Sequence, residues 1–121
     1  MKTEHFHLCK IISTGKLVQT RYGPRCEVIA EMIKTNYKPF ENASRIKIIT
    51  WKEKADKAAK FVKGKRLVVF FNKVNLNDTD REGNAIRSVT ASKIFIASQR
   101  EFEMYSVNSD GQYDPFSKLI I

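Results

Sequence analysis

One helical stripe interrupts a chain that is otherwise patterned for strands. From Lys52 to Lys63 the apolar residues Ala55, Ala58, Ala59 and Val62 recur at i, i+3, i+4 and i+7, and Gly64 follows as a natural C-cap. On either side the period is two. Arg45 to Trp51 alternates strictly, with Ile46 and Ile48 on one face and Arg45, Lys47, Ile49 and Trp51 on the other. Cys26 to Thr35 places Cys26, Val28, Ala30 and Met32 together. Phe6 to Ile12, Lys65 to Leu76 with its apolar run LVVFF, and Ile86 to Ile96 complete the strands. A short stretch from Leu17 to Tyr22 lies between Gly15 and the turn Gly23-Pro24, a loop runs from Asn36 to Ser44, and Asp78 to Asn84 reads as a hairpin loop.

The order is therefore strand, strand, strand, helix, strand, strand. A lone helix between the third and fourth of five strands is the signature of an all-β, five-stranded OB-fold barrel with one α-helix at that point. The 121 residues suit one domain. Residues 1–98 are expected to form the barrel and 99–121, where the pattern dissolves, a flexible or loosely docked C-terminal tail. No apolar run approaches the roughly 18 residues that span a bilayer, and Met1-Lys2-Thr3-Glu4-His5 leads into no apolar signal core, so a cytoplasmic protein without a membrane partner is expected. Such a protein keeps Cys9 and Cys26 reduced, as small buried apolar residues. His5, His7 and Cys9 would share one strand face, a conceivable metal site, but no further ligand cluster accompanies them and no cofactor is expected. No Ser/His/Asp arrangement, P-loop or HExxH is present, and Asp78, Asp80 and Glu82 sit in a loop without histidines, which argues against an enzyme.

Charge is unevenly placed. The net +9 of the chain lies entirely between Lys34 and Lys73, where 12 basic residues face Glu41, Glu53 and Asp56, and the remainder is neutral. Such a concentration is the electrostatic footprint expected for a polyanion. The alternative is a Lys-rich helix face that serves solubility.

The segment from Ile46 through Trp51, Ala55, Ala58, Phe61 and Gly64 to Leu67 and Val69 resembles the central segment of bacterial single-stranded DNA-binding proteins, which shows a strand ending in an aromatic, a short alanine-bearing helix, Lys-Gly and a second apolar strand. Gly15-Lys16-Leu17, Arg21-Tyr22-Gly23 and the hairpin Asp80-Arg81-Glu82-Gly83 are similar to further family pieces. The resemblance covers about residues 8 to 97. It implies single-stranded DNA as partner in replication, recombination or repair, a homo-oligomer such as a dimer or tetramer, nucleoid association, and docking of replication or repair proteins through an acidic tail that Asp110 to Phe116 echoes. The family often carries aromatics where Arg45 or Ile46, and Asn77 or Asp78, stand here, and Gly where Asn72 stands.

Binding single strands requires a cationic groove and exposed aromatic faces. With Ile46 and Ile48 inside, Arg45, Lys47 and Trp51 look outward; Trp51 stacks on bases or packs beneath the helix. Tyr37 and Phe40 are further stacking candidates or loop anchors, and Phe71 is a groove or interface candidate. Lys34, Lys38, Lys73 and Arg87 are candidate phosphate contacts, whereas the helix lysines read as a solvated face. RNA would use the same groove. The competing class is an OB-fold protein-interaction subunit with weak or no DNA binding, which the missing aromatics favour.

Overall fold

The computed structural model describes residues 4–107. Alternation in the sequence becomes strands β1 (Phe6–Thr14), β2 (Val18–Thr20), β3 (Gly23–Thr35), β4 (Arg45–Trp51), β5 (Arg66–Thr79) and β6 (Ala85–Ile96). β1 pairs antiparallel with β5 through Phe6–Lys10 and with β3 from His7 to Thr14, so one coiled strand serves two neighbours. Antiparallel pairing of β3 with β4 and of β5 with β6, and a parallel β4–β6 ladder from Ile46 and Arg87 to Ile49 and Thr90, close the ring. β2 adds a short flap that pairs with the start of β3.

Alternation also decides what fills the ring. Cys26, Val28, Ala30, Ile46, Ile48, Leu67, Val69 and Val89 all point inward and are essentially inaccessible. One end is plugged by α1 (Glu53–Ala58), whose Ala55 and Ala58 are fully buried. α1 is shorter than its sequence pattern: after Ala58 the backbone tightens into i→i+3 bonds from Lys60 to Lys57 O and Phe61 to Ala58 O, which leaves Val62 59% exposed and outside the core. Gly64, at φ +91°, then turns the chain and donates its N–H to Ile11 O. The opposite end is plugged by Phe40, from the 3-10 turn Lys38–Phe40, packed with His7 and Phe71.

The run LVVF in β5 is apolar on both faces because both are covered. Leu67 and Val69 enter the barrel, while Val68 and Phe70 join Phe6 and Leu8 in a second cluster outside it. A second helix, α2 (Gln99–Val107), lies over this outer cluster and seals it with Phe102, 8% exposed. No helix among the described residues is long and apolar enough to cross a membrane.

Candidate nucleic-acid interface

The outer face of β3 and β4 carries the charged and aromatic half of their alternation. Register sets Arg25 opposite Trp51, Glu27 opposite Ile49, Ile29 opposite Lys47 and Glu31 opposite Arg45. Trp51 is half-buried and stands outside the core clusters, with the Arg25 guanidinium 5.5 Å from its ring centroid. Arg25 also donates to Glu27. Nothing in the sequence singled out Arg25; its pairing with Trp51 is visible only once the β3–β4 register is known.

Lys47 shares this face, yet it is only 8% exposed. Its Nζ lies 3.2 Å from Asp78 Oδ2 and 3.9 Å from Glu27 Oε1, and donates to Thr79 O at 2.9 Å. Burial raises the Asp78 carboxyl, but hydrogen bonds from Ser88, the Thr79 backbone and Lys47 outweigh it and hold Asp78 below the usual carboxylate range. Lys47 is therefore engaged internally here rather than presented to a phosphate. Arg45 is exposed and lines two clefts against the β5–β6 hairpin, one of about 520 Å³ with Arg87, Asn42, Leu76 and Ile86, the other of about 160 Å³ with Lys47, Glu27 and Ile29. Arg87 is exposed and donates to the Pro39 carbonyl, which ties β6 to the 3-10 turn.

The aromatic candidates divide. Phe40 is fully buried, so its ring has no face for a base, and the stacking role is replaced by that of a core plug. Tyr37 and Phe71 are half-buried around the same plug: Tyr37 lies 4.6 Å from the His5 ring, and Phe71 stacks at 4.3 Å on His7. This cluster sits at the end of the barrel away from Trp51, because Phe40 precedes β4 and Trp51 ends it. Lys34, Lys38 and Lys73 are exposed on the end of β3, the 3-10 turn and β5 respectively. Much of the basic excess lies elsewhere, on α1 and the turn after it, where Lys52, Lys60, Lys63 and Lys65 are exposed; Lys57 Nζ donates to Ile94 O.

Cys9 and Cys26 are free and buried, and burial pushes both thiols up. His7 is buried as well, with Nδ1 on Thr35 Oγ1 at 2.8 Å and Nε2 without a partner. Burial and, secondarily, the charge of His5 lower its pKa to about 3. Among the described residues no three metal-ligating side chains converge, and His5, unlike His7 and Cys9, is exposed.

Solved structures decide the architecture. The chain is similar to a small single-stranded DNA-binding protein from Streptomyces coelicolor, with a TM-score of 0.60 and 13% identity over 83% of this chain and 97% of that one. The barrel is an OB fold. It is also similar to the SSB domain of a protein from Synechococcus sp., with a TM-score of 0.53 and 13% identity over 78% of this chain and 96% of that one. No protein-family model and no curated protein matches the sequence. At this identity the OB barrel itself is what the chain shares with these structures. The expected acidic tail, Asp110 to Phe116, lies outside the described residues.

Proposed function

We propose that this OB barrel binds single-stranded DNA without sequence preference and serves in replication, recombination or repair. The observation that carries the reading is the outer face of β4, where Trp51 lies outside the core beside Arg25, with Arg45 exposed on the same face. A partly open indole beside a guanidinium group offers a base a stacking surface and its phosphates a counter-charge. The net +9 and the two solved single-stranded DNA-binding proteins with this architecture support the same reading. Lys34, Lys38 and Lys73, exposed around the barrel, extend the track for the backbone. The protein acts as a binding module of the cytoplasm rather than as an enzyme, and assembles as a dimer or tetramer.

Trp51 is the only tryptophan, so its fluorescence reports on the face directly. Titration with oligo(dT) is expected to quench it with salt-sensitive affinity, and duplex DNA to bind more weakly. Trp51→Ala is expected to weaken binding by about 1 to 3 kcal/mol while leaving the melting temperature nearly unchanged. No binding of oligo(dT) at low salt overturns the proposal in favour of a protein-interaction subunit.

A further inference from the structure

The tip of the β5–β6 hairpin is folded onto the face just described. β5 and β6 lose regular register between Asn75 and Asp78, and an irregularity of this kind bends a two-stranded ribbon. Beyond the bend, Asp78 and the Thr79 carbonyl meet Lys47. Asp80, Arg81 and Glu82 then wall the 160 Å³ cleft together with Arg45 and Lys47. The tip also reaches the β1–β2 loop: a Cβ at Gly15 would stand 3.0 Å from Arg81 Nη2 and equally close to Glu27 O, so a side chain there would oblige these neighbours to shift by a few tenths of an ångström. Asp80 is held as a carboxylate foremost by the N–H of Asn84 and further by Glu82 N–H, with Arg45 adding its charge.

A lysine that makes a 3.2 Å ion pair and a 2.9 Å hydrogen bond is arranged as it would be against a phosphodiester. We propose that the hairpin tip is an internal stand-in for the nucleic-acid backbone, in which Asp78 occupies Lys47, and Asp80 faces Arg45 in the same cleft, until a single strand displaces them. The inference rests on the single-strand-binding reading. Binding is then an exchange of carboxylates for phosphates about the bend at Asn75 to Asp78, and weak or short polyanions fail to open the face. The freed carboxylates recover counterions as the strand loses its own, so the salt dependence of binding is shallower than the number of phosphate contacts implies.

The test compares dye-labelled oligo(dT) binding to the full chain, to Asp78→Asn/Asp80→Asn, and to Glu53→Gln/Asp56→Asn, which changes net charge equally on α1, outside the clefts that Arg45 and Lys47 line. Asparagine keeps the side-chain acceptor that caps the hairpin turn, and thermal melts verify folding of each variant. The Asp80→Asn single variant leaves the Lys47–Asp78 pair intact and guards against loss of fold in the double one. The hairpin variant is expected to bind on the order of tenfold tighter than the α1 variant. Its plot of log affinity against log salt is expected to be steeper by about 0.7 for each cation released. Asp80→Asn should give part of the gain. If the wild type binds and the hairpin variant gains no more than the α1 variant, the stand-in is overturned while single-strand binding stands. If wild type and α1 variant bind only at low salt and the hairpin variant also binds at higher salt, the stand-in is supported in its strongest form. If no variant binds, the single-strand reading has failed and the inference falls with it.

Discussion

Lys52 is the one non-glycine residue with positive φ among those described, at φ 57° and ψ −125°, and it joins β4 to α1. It is pinned there by its own N–H to Pro24 O at 2.8 Å, and it begins the helix with no side-chain cap. An L-residue in this region stores about 1 to 2 kcal/mol. Lys52→Gly is therefore expected to raise the melting temperature by about 4 °C, measured by circular dichroism. His7 carries a second cost. Its pKa falls from 6.5 to about 3 on folding, so the unfolded chain takes up a proton that the native chain refuses. Its contribution to stability is complete above pH 6.5 and is lost as pH falls toward 3. Denaturant melts across that window should show stability declining, and His7→Phe should flatten the decline. The sequence names both residues, His7 as a conceivable metal ligand and Lys52 as the start of the helical stripe, but shows neither of these features. Positive φ depends on how a strand enters a helix, and burial of His7 depends on Phe40 and Phe71 closing over it from distant elements.

At the scale of elements the alternation places the long strands to within about three residues: Cys26 to Thr35 became Gly23–Thr35 and Lys65 to Leu76 became Arg66–Thr79. Ile86 to Ile96 became Ala85–Ile96, and Arg45 to Trp51 was unchanged. The helical stripe overran because Ala59 and Val62 continue a spacing that the backbone abandons after Ala58. α2 was not read at all, since Gln99 to Val107 has weak amphipathic order. The signal lay in its partner: LVVF in β5 is apolar at consecutive positions, and a strand with two apolar faces requires a cover on each. Phe102 supplies the outer one, over Phe6, Leu8, Val68 and Phe70, with the Arg66 guanidinium 5.7 Å from its ring. Phe102→Ala is expected to cost about 2 kcal/mol in chemical denaturation, and to raise binding of a hydrophobic dye as Phe6 and Phe70 become accessible.

For the whole molecule, composition located a positive third of the chain but not where it would face. Folding sends the lysines of α1 and the following turn to one corner, buries Lys47, and leaves the β3–β4 face with Glu27 and Glu31 among its cations. The electrostatics of the face therefore depend on strand register and on the bend in β5–β6, neither of which is written in local periodicity. The ring itself has a kinetic side. Antiparallel neighbours β3–β4 and β5–β6 can form from chain segments already close together, whereas the parallel β4–β6 ladder joins strands separated by α1 and all of β5. The entropy of closing that long loop must be met before its contacts form. The β1–β5 seam, Phe6 to Lys10 with Arg66 to Phe70, spans a still longer loop, so the barrel is expected to close late in folding, at a pace that follows the formation of these two distant seams.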